Sequence, residues 1–448
     1  MVGKVSLLLV MGFSLIFLVF GHNFNNMSNG AVDNFVDYNK SINAHNLAVS
    51  GANLAANAMF FDENWTSGYS NVHMNGGTIN VSVQILNAGQ NIRQITSTGT
   101  YDGETASVEV VLSPSRFSKY AYYSVSEGSN IWWTDKDTVF GPFHTEDYLR
   151  ADNHPVFGVE GYSTTIGRSL IYKDNKQSDK PEFHGSFQDG TFEPLPSHGV
   201  QPLRDAAADS GFQINQTHTT VNQTVQIWVA GHNERVNGKM IYIPGHYENT
   251  TVYVTSIDTV YLTFMNDSVN VKKGISGADT TYKTSEVAPN GVIYAQGMDM
   301  RLKGTVEGQY SVVSDGNIYI DDDVKYTHDP KTDHTSADLL GIVAESNVYI
   351  SKKNPTNDII ISGAIYCQEG GFGAEKYDSI SARGNIYLYG GITHDTRLPV
   401  GTYTTDSHGN IIINHGYNKR YHYDARLGFI FPPFFPTGGG FSIVSWKE

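Results

Sequence analysis

The chain has 448 residues, one cysteine, 17% charged residues and a formal net charge of −15. A lone cysteine excludes an internal disulfide framework and a cysteine-based metal knot, and an acidic chain of low charge density argues against nucleic acid as a partner. The length leaves room for two or three domains with a sizeable core.

The first predicted element is an unusually long helix. Val5–Phe20 is sixteen residues without a charge, preceded by Lys4. That run is near the lower limit for crossing a bilayer, and the lysine favours a cytoplasmic N-terminus. No proline occurs between Met1 and Trp65, so the helix can run on. Ala31, Phe35, Tyr38 and Ile42 fall at offsets of 0, 4, 7 and 11, and Leu47, Gly51, Leu54, Ala55 and Ala58 continue a stripe of small and apolar residues. Sixty helical residues would span roughly 90 Å. A cleaved secretory signal would need a small-x-small site after the run, and Phe20–Asn23 is a poor one. A lipoprotein signal would need a cysteine there, but the cysteine is Cys367.

Beyond the helix the hydrophobic period changes from 3.6 to 2. Thr78–Ile85, Ile92–Tyr101 and Ala106–Leu112 alternate, separated by Asn87-Ala88-Gly89 and Asp102-Gly103. This predicts a three-stranded antiparallel meander. Phe117–Ser126 and Ile131-Trp132-Trp133 read as aromatic strand material, Lys173–Pro202 as a surface excursion, and Leu203–Ser210 as a short helix.

The last 200 residues repeat one phrase: Gly316–Ile320, Ser346–Ile350, Gly384–Leu388 and Gly409–Ile413, starting 30, 38 and 25 residues apart, with looser copies at Gly291–Tyr294 and Gly363–Tyr366. Glycine and asparagine suit a corner, stacked asparagines can bond along a ladder, and the branched residues fill a shared core. The spacing predicts a β-solenoid, like a parallel β-helix, with a β-sandwich as the alternative. The expected fold is therefore α+β, mainly β. Its domains are a stalk helix over 1–62, a small sheet over 63–130 and a large β-rich body over 131–448 with repeats at about 290–415.

The uncharged Val5–Phe20 run followed by the Ala44–Ala55 stripe resembles the N-terminus of type IV pilin-like proteins, particularly the minor pilins. The Ile95–Tyr101 strand with its Asp102-Gly103 turn is similar to the sheet and turn of pilin heads, and the Gly141–Thr145, Pro155–Gly158, Tyr423–Leu427 and Pro432-Pro433 phrases resemble bacterial surface proteins with a β-rich body behind a pilin-like helix. The resemblance implies a non-enzymatic filament or pseudopilus subunit, anchored in the inner membrane before assembly and then part of a homo-oligomeric appendage at the cell surface. It implies an assembly helix using Val5, Leu8, Phe13, Phe17, Phe20, Ala31, Phe35, Ile42, Ala48, Ala52 and Ala55, and processing at Gly3. One departure stands out: Met1 to Ser14 lacks the acidic residue usual near the mature N-terminus.

Candidate site residues are few. Adjacent strand residues face opposite ways, so of Asp321-Asp322-Asp323 only Asp321 and Asp323 share a face that could hold calcium. His144 and His154, with Glu146 and Asp147 between them, are a second metal candidate. A solvated turn and a hydrogen-bonded loop are the favoured readings of these two groups, no cofactor is expected, and Cys367 reads as a buried thiol. The competing function is a membrane-tethered protein that binds or cleaves polysaccharide, since tyrosine-rich strands suit sugar stacking.

Overall fold

The structure is a computed structural model that describes residues 2–448 except 63, 89, 174–179, 194, 196–198, 217–218, 257–258 and 276. The fold is α+β: a long N-terminal helix, a small antiparallel sheet and a large β-rich body with mixed pairing. The chain divides into two compact units, residues 1–115 with 439–448, and residues 116–438. The sequence boundary at 130 thus lies inside the second unit, and the C-terminus belongs to the first.

In the first unit, α1 (Val2–Phe61) is followed by β1 (Tyr69–Met74), β2 (Gly77–Asn87), β3 (Ile92–Tyr101) and β4 (Glu104–Arg116). The four pair in sequence order and antiparallel, with Ile79 opposite Gly99 and Ile95 opposite Val110. The C-terminal strand Thr437–Lys447 adds to the edge beside β4. The body is thus an insertion between two neighbouring strands of one sheet.

The alternation within β3 sets its faces: Arg93, Ile95, Ser97 and Gly99 are buried while the residues between them are half-exposed. The buried face carries the second half of α1. Ala48, Ala52, Ala55 and Met59 pack with Val81, Ile95, Val108, Val110 and Leu112. This corrects the expectation that Ala48, Ala52 and Ala55 face other copies of the chain: they are 0%, 1% and 0% exposed against their own sheet. Small residues permit close approach whatever the partner, and here the partner is a sheet. A Cβ at Gly99 would stand 2.3 Å from the Ala44 carbonyl oxygen and 2.5 Å from the Ala48 amide nitrogen.

In the second unit, strands pair in parallel over long sequence separations. One column of facing core residues runs Ile293, Val312, Ile342, Ile365, Ile392, Tyr122, Phe143. A second runs Met300, Ile318, Val348, Phe372, and a third Val324, Ile361, Leu388, Tyr421, Val139, Phe157. All of these side chains are buried, and each contributes about 1.5–3 kcal/mol relative to exposure. Antiparallel hairpins such as Thr259–Asn266 with Ser268–Lys273 extend the same sheet.

The first two copies of the repeated phrase stack in register, Tyr319 on Tyr349. Their asparagines form the expected ladder: the Asn347 amide donates to Asn317 Oδ1 (3.0 Å), and the Asn317 amide to Asp299 Oδ1 (3.3 Å). The other two copies do not continue it. Ile386 of the third pairs with Ile359 and Lys419, and Ile411 of the fourth pairs antiparallel with Thr405. Gln201–Ser210 forms α2, close to the expected helix. Within the expected excursion, Glu182–Phe183 and Phe187–Gln188 join the parallel ladder, while 174–179, 194 and 196–198 lie outside the described residues.

Candidate functional site

Three arrangements compete for function: the exposed part of α1, a buried charge cluster and an aromatic groove. On α1, Ser6–Phe61 contains an eighteen-residue window of mean hydropathy 2.0, none of it buried. Among the described residues it is the one helix long and apolar enough to cross a membrane. Leu8, Phe13, Phe17, Phe20, Ala31, Phe35 and Ile42 are all exposed. Gly3 and Val5 lie in the first turns of the helix, where side-chain surroundings are outside the description.

The metal candidates are occupied by other partners. The strand Ile318–Tyr326 leaves one ladder at Ile320 and joins the next at Val324, so the three aspartates sit at its corner. Asp321 takes a bidentate grip from Arg301. Asp323 accepts from the Ile360 amide (2.8 Å) and faces Lys325 (3.1 Å). His144 is fully buried between Thr165 Oγ1 (2.7 Å) and Glu146 Oε1 (2.9 Å), whereas His154 is exposed and meets the Lys180 carbonyl (3.0 Å). Among the described residues no group of three or more His, Cys, Asp or Glu side chains converges on one point. Cys367 is buried, and burial pushes its thiol up to about 12.

A polar cluster missed by the sequence reading lies in the core. Glu127, fully buried, accepts from Tyr122 (2.7 Å) and Ser124 (2.6 Å) on one oxygen, and from Trp133 Nε1 (2.8 Å) and Arg397 (2.7 Å) on the other. The Arg397 guanidinium also lies 4.1 Å over the Trp133 ring. Lys419 donates to Asp137 (2.8 Å) beside the same indole. His394 accepts from the Phe372 amide at Nδ1 (3.1 Å), so Nε2 carries the proton and donates to Tyr122 (3.1 Å). Burial is expensive for each charge, and hydrogen bonds fill the remaining valences.

His394 makes this core acid-sensitive. Burial, aided by the Arg397 charge and opposed by Glu127, pushes its pKa down to about 3. Between the ordinary value near 6.5 and about 3 the unfolded chain holds the extra proton. Stability is therefore full above pH 6.5 and falls as pH drops through that window, by at most about 1.4 kcal/mol per pH unit. Urea midpoints at pH 7, 6 and 5 should show the wild-type lead over His394→Gln shrinking as pH falls. A constant lead would contradict this account.

No family model and no curated protein matches the chain. Among solved structures, it aligns with the competence-associated pilin ComZ from Thermus thermophilus at 12% identity, covering 91% of this chain and 97% of that one, with a TM-score of 0.36.

The aromatic groove lies on the second unit. One cavity of about 440 Å³ is lined by Trp132, Tyr377, Tyr403, Tyr417 and Lys419 among others. A second, of about 500 Å³, is lined by Tyr319, Tyr349, Glu375, Tyr377 and Asp378. Tyr377 and Pro399 belong to both. Tyr319 and Tyr349 belong to the first two copies of the repeated phrase, the tyrosine-rich strands that suit sugar stacking. The phrase carries no signal for Trp132 and Tyr403, which line the adjoining cavity.

Proposed function

We propose that the chain is a pilin-like structural subunit of an extracellular filament or pseudopilus, held in the membrane by α1 before assembly and packed through α1 afterwards. The body is a β-solenoid available for adhesion or surface contact, and no catalytic step is assigned to it. The supporting observation is the change of burial along one helix. From Leu7 to Phe35 the large apolar side chains are exposed, whereas Ala44 to Met59 give one face to their own sheet. The exposed half needs lipid or protein to cover it. Transfer from lipid to matching helices conserves that burial, at about 25 cal/mol per Å² of apolar surface kept from water. A contact that does not close on itself grows as a helix.

Because the alanine stripe is consumed by the sheet, the assembly face is the exposed one, including Phe35 and Ile42. Cells sheared mechanically should release polymers of the full chain that survive mild detergent. Phe35→Glu should leave the protein in the membrane fraction as a monomer with an unchanged circular dichroism spectrum. Release only of monomers by the wild type, or of a chain lacking residues 1–24, would overturn the proposal.

A further inference from the structure

The groove has the construction of a ligand site. Along its second cavity, Arg301, Tyr319 and Tyr349 occupy equivalent positions on successive parallel strands, with the guanidinium 5.1 Å over the Tyr319 ring and the two tyrosines stacked 5.6 Å apart at 25°. The next position in that column is Gly373. A Cβ there would stand 2.6 Å from Leu398 Cβ and 3.0 Å from the Pro399 carbonyl oxygen. The glycine thus lets the Leu398–Pro399 segment lie against the ladder and end the aromatic column. Pro399, so placed, becomes the wall common to both cavities.

Trp132, Tyr319, Tyr349, Tyr377 and Tyr403 each keep part of their surface open. Tyr403 is fixed from behind, donating to Asp152 (2.7 Å) and accepting from Lys173 (3.0 Å), and Tyr417 accepts from the buried Asn354 amide (3.1 Å). Rings anchored in this way lose little entropy when a ligand stacks on them. Charge narrows the ligand class. The lining carries Asp137, Glu375 and Asp378 against Lys376 and Lys419, and Lys419 is already paired with Asp137. Lys376 stands at the exposed edge and Glu375 faces Lys352 (3.4 Å), so carboxylates outnumber cations along the lining and an anionic chain gains little there.

We infer that this groove binds a neutral polysaccharide, whose sugar faces stack on Trp132, Tyr349 and Tyr377 while its hydroxyls bond to Glu375 and Asp378. Two adjoining cavities suit an extended chain better than a single small molecule. The site lies wholly within residues 116–438 and holds whether or not α1 assembles.

The test uses the full chain in detergent micelles, titrated by calorimetry with the neutral hexasaccharides of cellulose, laminarin, amylose and chitin, and with a heparin hexasaccharide and a twelve-nucleotide single-stranded DNA. At least one neutral hexasaccharide should bind saturably, and neither anion should. Trp132→Ala and Tyr349→Ala should each weaken that binding by about 5- to 100-fold, as expected for loss of one stacking surface. Tyr349→Phe should stay within about threefold and report on folding, and Phe429→Ala, at an 81% exposed aromatic outside the groove, should change nothing. Absence of binding by every neutral hexasaccharide, binding indifferent to Trp132→Ala and Tyr349→Ala, loss in Tyr349→Phe equal to that in Tyr349→Ala, or preference for either anion would overturn the inference.

Discussion

Replacing Gly99 by valine should unfold the first unit locally, costing about 3 kcal/mol. The direction is diagnostic because strand propensity alone favours valine over glycine. What opposes it is the helix. A Cβ at position 99 would meet the Ala44 carbonyl oxygen, the Ala48 amide nitrogen and Leu47 Cβ at 2.3, 2.5 and 2.7 Å. Two of these are backbone atoms and cannot rotate away, so α1 must lift from β3. Hydrogen exchange in micelles should show lost protection over residues 44–59 and 92–101, with the second unit unchanged. Thr98→Val, on the opposite and half-exposed face of the same strand, should lie within about 0.5 kcal/mol of wild type. Wild-type protection of helix amides in Gly99→Val would mean that α1 does not pack on β3 as described.

That contact also explains what was legible in the sequence. The period of 3.6 marked α1 and the period of 2 marked β2, β3 and β4, because both are local properties of which face is buried. The alanines form a close-packing stripe, and its partner is the chain's own sheet rather than another copy. A stripe of small residues records the distance of approach, and Gly99 on the facing strand supplies the other half of that signal. The repeated phrase behaved similarly. Glycine-asparagine followed by branched residues encodes a corner and a strand, and so it located the Tyr319 and Tyr349 ladder. It does not encode the neighbouring strand: Ile359–Ile361 and Lys419–Tyr421 flank the third copy without sharing the phrase. Least legible of all were pairings across the insertion, such as Glu127 with Arg397 at a separation of 270 residues and Asp137 with Lys419 at 282. No periodicity reports on charges brought together over that distance.

Truncating Glu127 to alanine should destabilise the second unit by about 3–5 kcal/mol, the range for removing one member of a buried pair. Three consequences combine. Arg397 is left charged, nearly inaccessible and without its carboxylate, retaining the 3.3 Å bond to the Trp132 carbonyl. Tyr122, Ser124 and Trp133 each lose an acceptor, and an unsatisfied buried donor costs about 1–3 kcal/mol. A cavity opens where the side chain stood. Burial alone would raise the Glu127 pKa, but Arg397 and the three donors outweigh it and hold the carboxyl below its ordinary value near 4.5. Its stabilisation is therefore present above that value and lost as pH falls below it. Removing both charges separates the terms: Glu127→Leu with Arg397→Met eliminates the stranded cation and should recover part of the loss, while Tyr122 and Trp133 stay without that acceptor and Ser124 keeps Thr145 Oγ1 (2.9 Å). Urea unfolding followed by tryptophan fluorescence, with Trp133 at the centre of the cluster, measures both variants. A single variant within about 1 kcal/mol of wild type would mean that water reaches Arg397 in the folded chain and that the pair is not sealed from solvent.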